Sequence, residues 1–309
     1  MRLNTVSISC TTYNHANFIK KCLEGFLMQQ TDFEFEILIY DDASTDGTQE
    51  IIKTYKKKYP DIIKPIFQTE NQYSKGVRGI MARFNFSRAQ GKYIALCEGD
   101  DYWTDPLKLQ KQVDFLEEHE EYIVCFTRFQ TRNENTSVFE QDKNGHYFTD
   151  ENKIINFDFK KFYKGWHIGT QTVVFKNKSS IINNFLKYNQ PRDIALYTEL
   201  LKAGKGACLK EFSAVYRITG QGVYTSVDKK DQIKKGVEVY QDIFTINKNN
   251  YYLGLKYRKF LKPYLQLLLN EKKVIKFLNE VFQSYRLTNN ISYVREDLGL
   301  LLKKIKTKL

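Results

Sequence analysis

Two adjacent carboxylates, Asp100 and Asp101, close the apolar run Tyr93–Cys97, with Glu98 just ahead of them and no basic residue beside them. Carboxylates held together raise one another's pKa unless a cation joins them. An oxygen-preferring divalent ion, Mg²⁺ or Mn²⁺, is the natural cation, and it commonly takes only one or two protein carboxylates, leaving room for phosphate oxygens and water. Read alone, the pair is more often a solvated turn before the helix that Asp105-Pro106 opens. Its company tips the reading toward a metal. Val6–Cys10 ends in Thr11-Thr12-Tyr13-Asn14 and Phe35–Tyr40 ends in Asp41-Asp42, so three apolar runs stop at polar clusters.

Those clusters need a scaffold that brings them together. Short apolar runs at 6–10, 35–40, 62–67 and 93–97 read as buried strands. Between them Phe18, Ile19, Cys22, Leu23, Phe26 and Leu27, then Ile51, Ile52 and Tyr55, recur at helical spacing, and a further helix falls around Gly79–Ala89. Leu109, Val113 and Leu116 carry the helix after Pro106. The alternation predicts an α/β fold with a mostly parallel central sheet flanked by helices. Ligands of such sheets sit at the carboxyl ends of the strands, so the three clusters are expected on one rim.

From Ile123 the pattern loosens. Ile123–Phe129 and Gln171–Phe175 read as strands, Asn133–Asp150 as a polar excursion, Asp193–Ala203 as a helix closed by Gly204, and Ala207–Ile218 as one or two strands. Beyond Lys229 the chain reads as a helical appendage. Phe260, Leu261, Tyr264, Leu265, Leu268 and Leu269, then Ile275, Leu278, Val281, Phe282 and Tyr285, lie on helical stripes. This divides the 309 residues into a domain over 1–228 and a basic helical region over 229–309.

Of the formal charge of +12, +11 lies in 229–309, where 18 Lys and Arg face 7 Asp and Glu. A nucleic-acid-binding core would carry its basic footprint on the main domain, so nucleic acid is not an expected partner. The tail meets an anionic membrane surface as a peripheral contact, or presents a solvated Lys-rich helical face, or packs against the main domain or a second subunit. There is no G-x-G-x-x-G after a strand and no G-x-x-x-x-G-K-[ST], which excludes most dinucleotide oxidoreductases and P-loop enzymes. Five scattered cysteines without a Cys-x-x-Cys pair argue against a disulfide framework or structural zinc. No run approaches the roughly 20 apolar residues of a spanning helix, and Met1–Thr5 lacks a leader's apolar run, so a cytoplasmic chain, peripheral at most on the inner face of the membrane, is expected.

Taken in order, Val6-Ser7-Ile8-Ser9-Cys10-Thr11-Thr12-Tyr13-Asn14, Tyr40-Asp41-Asp42-Ala43-Ser44-Thr45-Asp46-Gly47-Thr48 and Gly91-Lys92-Tyr93-Ile94-Ala95-Leu96-Cys97-Glu98-Gly99-Asp100-Asp101-Tyr102-Trp103 resemble the three signatures of the family 2 glycosyltransferases. The resemblance covers roughly 5–225 and is tightest up to Gln112. It implies the GT-A fold, a nucleoside-diphosphate sugar donor, a divalent metal and inversion at the anomeric carbon. Thr11 and Tyr13 match positions that border the nucleobase. Asp42 matches the carboxylate that accepts the base N3–H, which favours a UDP-sugar; a carboxylate and an imide N–H form a good charge-assisted pair. Asp100 matches the residue near ribose and metal, Asp101 the metal ligand, and Glu98 stands with a longer arm where the first acid of a D-x-D element is usual. Arg83 lies where an Arg-Asn pair would approach the diphosphate, but Phe84 separates it from Asn85; an Arg on a helix surface is the equal alternative.

Pro191-Arg192-Asp193-Ile194-Ala195-Leu196-Tyr197 is similar to the segment that carries the family's base, with Ile194 in place of an aromatic. Asp193 would take the acceptor proton, or else be a helix N-cap, and Glu199 is the rival acid. In Tyr216-Arg217-Ile218-Thr219-Gly220, Thr219 replaces a usual His, and Arg217 either approaches phosphate or packs under the site. Trp166-His167, between Gly165 and Gly169, falls where the family borders its acceptor, or is an ordinary packed loop. The activity implied is metal-dependent inverting transfer to a hydroxyl of a glycan or lipid-linked acceptor, in cell-surface polysaccharide synthesis. A nucleotidyltransferase would need a basic Gly-rich loop in place of Thr11-Thr12-Tyr13-Asn14. A degenerate binding module would not need Asp42, Asp100, Asp101 and Asp193.

Overall fold

The computed structural model of the chain describes residues 5–149, 151, 154–220 and 228–306. Met1–Asn4 and Asp150, which entered the reading above, lie outside them. Two compact units form, Met1–Gln221 and Gly222–Leu309.

In the first unit the near-continuous apolar runs become strands buried on both faces, as parallel strands under helices must be. β1 (Val6–Thr12), β2 (Phe35–Asp41), β3 (Ile63–Phe67) and β4 (Tyr93–Leu96) lie parallel in the order β3-β2-β1-β4. α1 (Ile19–Leu27) buries Ile19, Cys22, Leu23 and Phe26, and α2 (Thr48–Lys58) buries Ile52. The helix expected around 79–89 is a π-helical turn, Met81–Asn85, running into a 3-10 turn, Phe86–Arg88. It seats the buried Asn85 amide against β1, where Nδ2 donates to Ser9 Oγ and Cys10 O, both at 3.1 Å.

The chain then adds β5 (Tyr102–Trp103), α3 (Lys108–Glu118), β6 (Tyr122–Asn133), β7 (Val138–Glu140), β8 (Ile154–Phe157), α4 (Phe159–Lys164), β9 (Val174–Lys176), α5 (Ser179–Phe185), α6 (Asp193–Ala203) and β10 (Lys205–Ile218). The sheet continues β4-β9-β6-β10-β5, with β7 on β6 and β8 on β10. β9 is antiparallel to both β4 and β6, and β10 is parallel to β6. Two reversals cancel, so β6 and β10 run in the direction of β1–β4, and their carboxyl ends reach the same rim. Ala207–Ile218 is part of one strand with register shifts. β9 starts later than expected because Thr170–Thr172 coils into a 3-10 turn.

The second unit consists of α7 (Lys229–Ile246), α8 (Tyr251–Asn270), α9 (Val274–Thr288) and α10 (Ile291–Lys306). Asp228 and Asn250 cap α7 and α8 by accepting from the N–H groups of Asp231 and Leu253. A buried Arg258 on α8 donates from Nη1 and Nη2 to the two oxygens of Asp297 on α10, at 2.7 and 2.8 Å. On α9, Phe277, Val281 and Ser284 face inward, whereas Ile275, Leu278 and Phe282 face out. Among the described residues no helix is long and apolar enough to cross a membrane.

Candidate functional site

The loops after β1 and β2 are sewn together. Asn14, in the left-handed region at φ 54°, donates its N–H to Ser44 Oγ at 2.8 Å and accepts from the Thr45 N–H at 2.9 Å. His15 and Ala16 donate theirs to Thr48 Oγ1 and Asp46 Oδ2. The acids of the Asp41-Asp42 pair divide their work. Asp41 accepts from the Ser44 N–H and hydroxyl and from Gln49, which shapes the turn. Asp42 accepts from the Gln72 N–H at 2.7 Å, the Tyr73 N–H at 3.0 Å and the Tyr40 hydroxyl at 3.0 Å. A carboxylate offers about four acceptor positions, so one remains on this 5% exposed group. Thr11 is half-buried beside it and Tyr13 is exposed.

On the other flank of β1 the segment after β4 presses in. Gly99 donates its N–H to Thr11 O at 2.9 Å, and a Cβ there would lie 2.6 Å from Thr12 Oγ1, so only glycine fits. This draws Glu98, Asp100 and Asp101 into a cluster in which one carboxyl oxygen of each lies within 4.8 Å of the other two. Asp101 is buried, and burial followed by the charge of Asp100 raises its pKa, against the Arg217 N–H that donates to Oδ1 at 2.8 Å. Protein crowds the Glu98 carboxyl although solvent reaches the residue. That crowding, then the charges of Asp100 and Asp193, push it up to about 8. Three converging carboxylates that are costly to ionise together suit a hard divalent cation, so the donor set fits Mg²⁺ or Mn²⁺.

Asp193 begins α6. Its Oδ1 accepts from the Ile194 N–H at 2.8 Å and its Oδ2 from the Thr170 hydroxyl at 3.4 Å, while Tyr197 donates to Thr170 Oγ1 at 3.1 Å. Burial raises its pKa. Its charge acts on Glu98, and burial together with Asp101, Glu98, Asp100 and Asp193 raises the phenol of Tyr216. The charges of the acids at 98–101 and 193 thus act on one region, and the phenol of Tyr216 lies within their field. Asp42 flanks the same end of β1 from the β2 side, donating its N–H to Thr12 O at 3.0 Å.

Arg217 is the residue under the site. Its guanidinium donates to Asp100 O at 2.8 Å, lies 3.4 Å from Glu134, and stacks over Tyr102 at 4.4 Å. Arg83 is exposed on the π-helical turn and donates to Arg78 O at 2.8 Å. Glu199 is buried and taken by the Tyr188 hydroxyl and Lys202, away from the cluster's hydrogen bonds. Trp166 is buried against Phe126 and Phe157, with Tyr147 stacked on it at 4.3 Å, so its ring serves packing. His167 faces solvent beside Phe129, its backbone held by Asn144. Two residues escaped the sequence reading. His15 Nδ1 sits 3.1 Å from Thr12 Oγ1 and Nε2 3.9 Å from Asp100. Tyr216 lay within a quoted segment, where alternation on β10 alone could not show which end it reached.

The model of Glycosyl transferase family 2 matches residues 7–177. The chain belongs to that family. It is similar to an uncharacterized protein of Mycobacterium tuberculosis, 35% identical over 223 residues, which are 72% of this chain and 61% of the relative. The chain thus spans about three-fifths of the length of that relative. It is also similar to the putative teichuronic acid biosynthesis glycosyltransferase TuaG of Bacillus subtilis, 29% identical over 77% of this chain and 88% of TuaG. Among solved structures, S. aureus TarS in complex with UDP superposes with a TM-score of 0.63 at 16% identity, covering 95% of this chain and 87% of that one. The fold is therefore the GT-A architecture of glycosyltransferases.

Proposed function

We propose that this family 2 member is an inverting glycosyltransferase that moves a sugar from a nucleoside-diphosphate donor, a UDP-sugar in preference, to a hydroxyl of a glycan or lipid-linked acceptor in cell-surface polysaccharide synthesis. The work is assigned to residues 1–228, on the cytoplasmic side. One observation carries the reading: one carboxyl oxygen from each of Glu98, Asp100 and Asp101 lies within 4.8 Å of the other two. UDP in the related TarS structure and teichuronic acid in the name of TuaG support donor class and pathway class.

Glu98, Asp100 and Asp101 are the residues to hold Mg²⁺ or Mn²⁺, which would supply positive charge against the diphosphate leaving group. Thr11, Tyr13 and Asp42 border the base, and the open position of Asp42 is the acceptor for its N3–H. Asp193 takes the proton of the acceptor hydroxyl as that oxygen bonds to the anomeric carbon and the bond from that carbon to phosphate breaks. Burial keeps the Asp193 pKa above the ordinary carboxylate range, which suits a group that must receive a proton. Arg83 and His167 are assigned the diphosphate and acceptor flanks. Arg217 steadies the phosphate side from beneath, and Trp166 shapes the acceptor side by packing.

The test is a panel of nucleoside-diphosphate sugars with Mn²⁺ or Mg²⁺ and the full chain, read as released nucleoside diphosphate. Release that depends on donor and metal is expected. Tight donor binding without any release, across glycan and lipid-linked acceptors, would mark a binding module instead.

A further inference from the structure

The outer face of α9 is built for something other than water. Ile275, Leu278 and Phe282 follow one another at i, i+3 and i+7 and are 79%, 43% and 56% exposed. They lie opposite Phe277, Val281 and Ser284, the residues that hold α9 to its own unit. A solvated helix has no use for three large apolar side chains on that stripe.

Cations surround them. Lys272, Lys273 and Lys276 open the helix, and the Arg286 guanidinium lies 4.6 Å over the Phe282 ring. α10 carries a similar mixture, with Leu302 and Ile305 exposed among Lys303 and Lys306. From 271 to 306 eight Lys and Arg face four acids. Three of these acids are spent within the unit: Glu271 on Lys273 at 2.8 Å, Asp297 on Arg258, and Glu296 on Lys262 at 2.6 Å. The fourth, Glu280, is half-buried.

We propose that α9 lies on an anionic lipid surface, with Ile275, Leu278 and Phe282 at the boundary of headgroups and acyl chains and the flanking lysines and Arg286 on lipid phosphates. Charge selects this occupant. A second copy would bring another region of net charge +11 against the first. A nucleic acid would meet the cations but leave the apolar stripe without a partner. An anionic bilayer satisfies both, and long basic side chains can extend from the stripe to the headgroups. The contact lies on the membrane and does not span it.

The experiment is flotation of the full chain with vesicles of phosphatidylcholine alone or mixed with phosphatidylglycerol, at low and high salt. Binding to the mixed vesicles that falls with salt is expected. Ile275→Ser/Leu278→Ser/Phe282→Ser should weaken it by roughly a hundredfold. Lys272→Glu/Lys273→Glu/Lys276→Glu should abolish the preference for phosphatidylglycerol. These positions are exposed, so thermal unfolding should not move. Absent binding, equal binding to neutral vesicles, or undiminished binding by the serine variant would overturn the proposal. So would a serine variant that only converts a dimer to a monomer. The proposal stands apart from the sugar-transfer reading: vesicle binding without nucleotide release would fail that reading alone.

Discussion

The main-chain N–H of Arg217 donates to Asp101 Oδ1 at 2.8 Å, across 116 residues of sequence. The register Val215↔Tyr102 between β10 and β5 brings them together, and the Arg217 guanidinium then clamps Asp100 O. Arg217→Ala keeps the N–H and loses the clamp. It should lower Mn²⁺ affinity by about 10- to 100-fold, the usual effect of removing a group that orients metal ligands. Titration followed by electron paramagnetic resonance checks this; unchanged affinity would reduce Arg217 to packing.

Asp101→Ala should cost at least roughly a thousandfold in turnover, because several kcal/mol of leaving-group stabilisation depend on the ion it helps hold. Thermal unfolding should show an intact fold. Turnover near wild type in the presence of a chelator would remove the metal from the reaction.

Asp193→Asn should reduce turnover by roughly 10²- to 10⁴-fold, the range for a general base, with donor affinity nearly unchanged. The wild-type acid limb should lie above the ordinary Asp pKa of about 3.9, since burial raises that of Asp193 and activity needs it unprotonated. An equal loss of donor binding would make Asp193, which lies in the first turn of α6 behind Arg192 at its N-cap, a structural residue only.

Without metal, crowding and the charges of Asp100 and Asp193 push the Glu98 carboxyl up to about 8, so a proton on it is expected at neutral pH. Metal binding through Glu98 must expel it, so affinity should tighten by up to about tenfold per pH unit below 8 and level off above. Calorimetry in two buffers of different ionisation heat reports the proton. Glu98→Gln should weaken the dependence and leave only the part that Asp101 contributes, and a pH-independent wild type would exclude Glu98 as a ligand.

Far from the site, buried Glu36 accepts from Ser7 at 2.6 Å, Lys64 at 2.6 Å and the Gln90 N–H at 2.9 Å. Against the pull of burial, Lys64, Ser7 and Gln90 hold its pKa below the ordinary value. Stability from a depressed carboxyl is complete above the unfolded pKa of about 4.3 and fades as pH falls through the folded one. Glu36→Ala should cost about 2 to 3 kcal/mol at neutral pH by leaving buried donors unpaired, and less in acid. Denaturant unfolding at two pH values measures both.

Much of the fold was legible because it is local. Continuous apolar runs give buried strands and spaced ones give helices, whichever neighbours they meet, and three strands that end in polar clusters imply a common rim. The segment around 79–89 was less legible: the Asn85 amide satisfies groups on β1, a demand that local spacing does not encode, and the chain adopts a π-helical turn there.

By itself, the sequence determined which chemistry the chain carries: carboxylates at strand ends, a basic helical tail, and motifs that mark the family. Only the tertiary structure decided which polar residue does what. It put Asp41 into the turn and left Asp42 one open acceptor position, clamped the Arg217 guanidinium on Asp100 O, packed Trp166 against Tyr147, and set Tyr216 within the field of the four carboxyls. It also turned Ile275, Leu278 and Phe282 outward while Phe277 and Val281 took the core. The reason is physical. Residue type sets what a side chain can bind, but hydrogen-bond partners, burial and neighbouring charge are fixed by strand order and register, which join residues more than a hundred positions apart.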